Sequence, residues 1–533
     1  MGMFCLSAFV VLFAGVPDQK PKAVDPSEQI VLIHTDVLYK NYQDMRADVL
    51  VGHVQLYHDG MYLYCDSARF YREENNFYAY GHVKMKQGDT LSLVCDTLLY
   101  DGMSRIATTQ GPSTLTHKKM TLKARDLVYD RNIGVGKYDQ HGEIKDGENT
   151  LNSEWGQYTP ATSEAIFTYN VVLENPKFTL KTNSQLYYYS NTKLAQIVDS
   201  TNIVSSDGTF VYAQKGTYDT RTGQASLMDR SHIYKDMRDI VGDSLYSDKN
   251  TGVSEAFGNV ILTDVENMCM LTGNYCRYEE PTGLAVATDS AVCYEFSGPD
   301  TLYVHADTLK MVTHNAKTDS VYRDLFGYHK VRMFRNDFQG VCDSLVSHEK
   351  DSCTYLYGQP ILWNEGQQVF GEEIRVYNND STIDRIHIIN QAMTIERLDS
   401  VSYNQVASKE MFCFFENGEI KRNVAKGNVY VSYFMDESDG NRIGMNYTET
   451  PELILYMVDK KVDKIWMSTA TGTMYPAKMV PAEKRYLKNF AWFDYIRPKD
   501  KDDIFEWRDK SKENMLKTTE KKFVPIQRLD KIK

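Results

Sequence analysis

Gly81–Gly111, GHVKMKQGDTLSLVCDTLLYDGMSRIATTQG, is the stretch on which the reading of the fold turns. In His82-Val83-Lys84-Met85-Lys86 the apolar Val83 and Met85 alternate with lysines, the period-two signature of a half-buried strand. A Gly88-Asp89 turn follows, and the chain returns through a Leu-, Val-, Thr- and Tyr-rich run from Thr90 to Asp101. A second turn at Asp101-Gly102 sends it back through Ile106-Ala107 to Gly111. The unit is therefore two strands and two turns.

Working outward, the same unit recurs. Gly52-His53-Val54-Gln55-Leu56 repeats Gly81-His82-Val83-Lys84-Met85, and Cys65-Asp66-Ser67-Ala68 repeats Cys95-Asp96-Thr97-Leu98. Asp66, Asp96 and Asp126 stand 30 residues apart, each followed by a tyrosine of its own at Tyr71, Tyr100 and Tyr129. The pattern sharpens again at Gly242-Asp243-Ser244-Leu245-Tyr246 and at Ala256-Phe257-Gly258-Asn259-Val260-Ile261-Leu262, and a later copy crosses Gly427-Asn428-Val429-Tyr430-Val431. A fixed period in this range marks a repeat architecture. Strands of about ten residues with a small residue near the middle turn corners. The expectation is an all-β chain: an antiparallel solenoid of about 13 two-strand units with a continuous interior.

Composition agrees. Of 533 residues, 37 are tyrosine and 14 proline, which suits pleated surfaces wet on one side. The formal net charge of −12 argues against nucleic-acid binding, which needs a basic stripe to displace counterions. The nine cysteines include no CxxC and no metal-like grouping with histidine, and Cys65, Cys95 and Cys342 each precede a corner aspartate. They are read as small residues at a tight place in the coil, with a disulfide as the alternative.

The apolar run from residue 3 to 16 is too short to span a bilayer and sits where a secretory signal would sit, so export is expected. Four segments follow from the pattern: a signal-like stretch and linker over 1–28, repeats over 29–230, further repeats over 231–480, and a charged, partly helical, solvated tail over 481–533. Phe490, Trp492, Phe493 and Tyr495 are expected to cap the last coil.

The pairing of a Gly-His-Val or Gly-Asn-Val strand with a small-Asp-x-Leu-x-Tyr-Asp strand resembles the OstA-like, LptA-like periplasmic family of lipopolysaccharide transport. The resemblance covers residues 30 to 475, most specifically 45 to 135 and 240 to 265. It implies an elongated β-jellyroll whose open apolar groove carries lipid acyl chains across the periplasm. It also implies lipopolysaccharide or a related lipid as ligand, and as partners similar jellyrolls joined by edge-strand pairing and the outer-membrane assembly protein. The chain departs from the family in its length and in lacking an evident run of membrane-barrel strands at its C-terminal end.

The expected lining of that groove is Val54, Leu56, Val83, Met85, Leu91, Leu93, Val260, Leu262, Val429 and Val431. From composition alone these residues read as core; the resemblance turns the reading to a groove. No nucleophile elbow, phosphate loop, dinucleotide fingerprint or His-Glu-x-x-His is found, so no enzyme, cofactor or metal is expected. Aspartates recurring at every unit suit a corner, whereas catalysis needs one constellation once. The alternatives are a β-solenoid enzyme acting on polysaccharide, an adhesin, and a structural envelope protein with a packed interior.

Overall fold

A computed structural model describes residues 29–511 apart from 299, 316, 317, 319, 380, 381, 437–440 and 460, and also residue 516. The apolar run at 3–16 and the linker lie outside the described residues. Among the described residues are 43 strands, and helix is confined to turns of three or four residues at Ala477–Met479, Ala482–Arg485, Asp494–Ile496 and Asp503–Phe505. No helix among them is long and apolar enough to cross a membrane. The chain divides into two compact units, Met1–Pro176 with Lys181–Lys193, and Lys177–Leu180 with Leu194–Lys533.

In the first unit the short strands Val31–His34 and Val37–Lys40 pair with the first of five long antiparallel strands, Asp48–His58, Met61–Tyr71, Asn76–Gln87, Leu91–Asp101 and Ile106–His117, each hydrogen-bonded to the next. Each bends where the register slips, between Val51 and Val54 in the first and between Tyr80 and Val83 in the third. The slip falls on the recurring Gly-His pair, and the reason is backbone geometry. Gly81 and His82 both lie in the left-handed region, at φ 74° and 44°. A Cβ on Gly81 would stand 2.4 Å from Asp66 Oδ2, so only glycine fits. Asp66 Oδ2 also holds His82 Nδ1 at 2.7 Å, and Asp243 holds Asn259 at 2.8 Å in the corresponding place. The recurrent aspartates are thus corner residues. His53 and His82, read from the sequence as solvated, have side chains 87% and 91% exposed.

Bending turns one face of every strand inward. On that face the column Leu56–Leu63–Met85–Leu93–Leu115–Leu122 runs from strand to strand and continues through Ile144 and Leu151 to Leu173. Each of these side chains is 0% exposed. Burying one of them is worth about 1.5–3 kcal/mol, so this column is a principal source of the unit's cohesion. Lys84 and Lys86 alternate with it and face outward.

In the second unit an equivalent column runs through Ile203, Val211, Ile233, Ile240, Leu262, Leu271 and onward to Met333, Gly340, Leu362, Val369, Thr394, Val406 and Val431. Here Ile361–Asn364 is apolar on both faces, with Ile361, Leu362 and Trp363 all at or below 2% exposed, and the strands Gln367–Phe370 and Ile383–Arg397 add buried Phe370, Met393 and Ile395.

What covers their outer face corrects the expectation of a solvated tail. Residues 482–511 contain the expected short helical turns, but Leu487, Ala491, Phe493 and Ile496 pack into one cluster with Val341, Trp363, Phe370, Met393, Ile395 and Tyr403. The segment is a strap laid across the strands. The aromatics assigned to the last coil lie on earlier ones, because that is where the sheet offers an apolar outer surface.

Three buried glutamines hold the strap. Gln405 Nε2 donates to Arg485 O at 2.8 Å and its Oε1 accepts from Leu487 N at 2.9 Å. Gln368 repeats the arrangement with Ala491 O and Phe493 N, both at 2.8 Å. Gln339 Oε1 accepts from Arg497 Nε at 2.8 Å. The first two carboxamides imitate a strand's backbone, pairing with residues i and i+2 of the strap. Farther along, Asp503 of the strap faces Arg332, whose side chain is 0% exposed, at 3.5 Å.

Candidate functional site

Nine of the ten expected lining residues are buried on inner faces. Val54, Leu56, Val83, Met85, Leu91 and Leu93 lie in the first unit at 6% exposed or less, and Val260, Leu262 and Val429 in the second at 7% or less. Val431 is half-buried. The open trough expected from the resemblance is closed along this row. The physical reason is direct: two apolar faces turned toward one another gain about 25 cal/mol for each Å² removed from water, so they meet.

The mouth between the two arms of the first unit is shut by a ladder of polar contacts. At the strand ends the inner rows carry His58, Gln87, His117 and Asp146 on one rim and Tyr100, Tyr129, Tyr158 and Tyr188 on the other, partners 41 or 42 residues apart. His58 Nδ1 lies 2.7 Å from the Tyr100 hydroxyl, which also accepts from Arg131 Nη1 at 2.6 Å. A guanidinium can only donate, so the tyrosine proton is free for His58.

His117 Nδ1 lies 2.9 Å from Tyr158, and Tyr188 donates to Asp146 at 2.8 Å while accepting from Asn149 at 2.9 Å. Gln87 and Tyr129 stand at a longer 3.5 Å. Burial pushes the hydroxyls of Tyr100, Tyr129 and Tyr158 upward from the ordinary tyrosine range, so they remain protonated donors, and it pushes His117 downward toward the neutral imidazole. In the second unit, contacts at similar separations include Lys249 with Asp207 at 3.1 Å, Lys235 with Glu280 at 2.8 Å, and Arg238 with Tyr278 at 2.9 Å.

Sequence reasoning found the tyrosine period and missed its partners. The signal available was a second period: His58, Gln87, His117 and Asp146 recur at 29 or 30 residues, in phase with the tyrosines.

The interior of the second unit is more open toward its C-terminal strands. Val369, Thr394, Val406 and Val431 are only half-buried, and a small void of about 10 Å³, room for one water, lies between Thr394, Val406, Met411, Asn423, Ala425, Leu453 and Leu455. Asn423 Oδ1 is buried there without a hydrogen-bond partner. Two of the walls, Thr394 and Val406, belong to strands whose backs carry the strap.

The cysteines behave as small apolar residues. The eight described are buried and unbridged, and burial pushes the thiols of Cys65 and Cys95 up to about 12. Among the described residues no group of three His, Cys, Asp or Glu side chains is placed to hold a metal ion.

Against known proteins, no curated protein matches the chain significantly. A family model does match, over residues 27–183, which is nearly the span of the first unit with its bent strands and leucine column. The match is to the OstA-like proteins, so residues 27–183 are similar to that family.

Proposed function

We propose that the chain is a non-enzymatic carrier of lipopolysaccharide or a closely related lipid, working in the periplasm as a scaffold between the inner and outer membranes. The observation that supports this most is the inner column of the first unit. Leu56 through Leu173 make one uninterrupted hydrocarbon surface, bounded by polar rims, inside an OstA-like region. Such a surface suits acyl chains lying between the two faces, with polar head groups at the rims. A chain enters when the side-chain contacts across the mouth part; the backbone ladders along each arm stay intact. Neighbouring jellyrolls and the outer-membrane assembly protein would be met at unpaired terminal strands, which otherwise need blunting.

The test is photo-crosslinking in cells from Met85 and Leu262, with outward-facing Lys84 as the control. Capture of lipopolysaccharide from the two inner sites and little from Lys84 supports the carrier. Capture from Lys84 alone defeats it. A second reading, a structural envelope protein with a permanently packed interior, draws on the 0% exposure of the leucine column. It requires that none of the three sites capture lipid.

A further inference from the structure

We propose that a cleft on the outer face of the second unit, between the strap and the sheet, binds a sugar ring of a glycan. The proposal concerns a face and a ligand chemistry outside the carrier reading, and it stands or falls apart from it.

One outer row crosses the strands through Tyr294, Tyr303, Phe334, Gln339, Trp363 and Gln368. The strap follows this row as far as Gln339, which Arg497 grips, and then lifts away. Pro498 is the last buried residue before an exposed arch at 499–502, and the strap meets the sheet again at Ile504, 1% exposed. Where the strap lifts, the row goes on with two half-buried rings, Phe334 and Tyr303, their centroids 6.5 Å apart, and Tyr294 a further 5.3 Å along. Between the first two rings and the arch lies a cleft of about 510 Å³, within the size range of small-ligand sites. Lys499, Asp500 and Lys501 line it from the arch, and Asp300, Thr301 and Asn336 from the turns that flank the two strands.

The lining selects the ligand. A pyranose presents C–H groups on its flat faces and hydroxyls around its edge. The C–H groups suit the electron-rich faces of aromatic rings, and the hydroxyls need both donors and acceptors. The cleft divides in the same way, with rings on one side and carboxylate, ammonium, amide and hydroxyl groups around them. Two lysines balance two aspartates, which favours a neutral, hydroxyl-rich ring over an anion; six polar residues out of eight disfavour a hydrocarbon.

The arch is locked from within. Asp500 Oδ1 accepts from the N–H groups of Asp502 at 2.9 Å and Asp503 at 2.8 Å, and Lys499 N donates to Asp503 Oδ2 at 2.9 Å. Arg508 Nη1 donates to the same carboxylate at 3.0 Å. A turn held in this way keeps the cleft open before ligand arrives and lowers the ordering cost of binding. Its far foot also holds donors in reserve. Arg332, two residues before Phe334 on the same face, stands 3.5 Å from Asp503 Oδ2, and its three guanidinium nitrogens are buried without a hydrogen-bond partner among the described residues. Settling of the arch by about 0.5 Å brings this pair into hydrogen-bond range, so closure on a ligand is offset by a bond gained at Arg332.

The experiment uses the full chain and two lipid-free probes: the polysaccharide released from lipopolysaccharide by mild acid, and soluble glycan strands cut from peptidoglycan. Affinity is measured by calorimetry and the arch is followed by hydrogen exchange. A glycan should bind, and at saturation exchange at the Asp502 and Asp503 amides should slow at least threefold, a measurement that needs no variant. Tyr303→Ala should weaken binding at least tenfold. Lys499→Ala with Lys501→Ala, both at exposed positions, should weaken it at least threefold with exchange at the Phe493 amide, the sign of a docked strap, unchanged.

Which probe binds identifies the source, the released polysaccharide pointing to the saccharide of a glycolipid and the peptidoglycan strands to the cell wall; either supports the site. Binding of neither probe overturns the proposal. So does binding that leaves exchange at the arch unaltered, or that keeps its full strength in both variants. Crosslinking at Met85 judges the carrier reading separately.

Discussion

Replacing Gln368 by alanine tests the strap at its centre. The side chain is 0% exposed and engages three buried groups: it donates to Ala491 O at 2.8 Å, and it accepts from Phe493 N at 2.8 Å and from Trp363 Nε1 at 3.1 Å. Leaving a buried donor or acceptor unsatisfied costs about 1–3 kcal/mol, so three together cost about 3–6 kcal/mol once local relaxation is allowed. The strap keeps its contacts with Gln405, Gln339 and the apolar cluster, so it should loosen around Phe493 before the second unit unfolds. At 1.4 kcal/mol per tenfold, exchange of the Phe493 amide should accelerate by about a hundredfold or more. Hydrogen exchange followed by mass spectrometry on the 487–497 region reads this directly, with a peptide from Ile106–His117 as internal reference. Exchange within tenfold of the unsubstituted chain would refute the reasoning, since it would mean that the carboxamide contacts contribute nothing to docking.

Three further outcomes are expected. Leu115→Ala, in the inner column at 0% exposed, should cost about 2–5 kcal/mol of denaturant stability, whereas Val94→Ala, at 45% exposed, should cost little. Gly81→Ala should destabilise by about 1–3 kcal/mol through its φ of 74° and the displacement of Asp66, measured as a lowered urea midpoint. The Asp66 carboxylate raises the pKa of His82 above its ordinary value, so the stability contributed by this pair is full below about pH 6.5 and disappears as pH rises through the raised value. An NMR titration should show the His82 pKa falling in Asp66→Asn; an unchanged value would remove the pair from the corner.

The fold was legible because its signals are local. Alternation at Val83 and Met85, the Gly-His corner and the 30-residue step are each visible within a few dozen residues, and together they fix which face of every strand turns inward. The closed state of that face was not legible: Leu56 and Leu93 look alike in sequence whether they line a trough or pack as core. The rim was hidden for a different reason. Its partners stand about 42 residues apart, so neither tyrosine period nor histidine position shows the contact until the arms are folded together. The strap reads as solvated in sequence because half of its residues are charged. The better signal lay in its receptor, where Ile361-Leu362-Trp363 breaks the alternation and announces a strand buried on both sides.

The paired left-handed residues at each corner carry one last consequence. Because Gly52-His53, Gly81-His82, Gly258-Asn259 and Gly427-Asn428 produce the same kink, the cross-section left by one step is the cross-section required by the next. Growth or shrinkage of such a chain is therefore quantised. Whole steps can be gained or lost with every side chain keeping its orientation, while a single-residue insertion within an arm would turn hydrocarbon to water for the remainder of that strand. Reach becomes a heritable variable that changes in integers, separately from what the interior is made of.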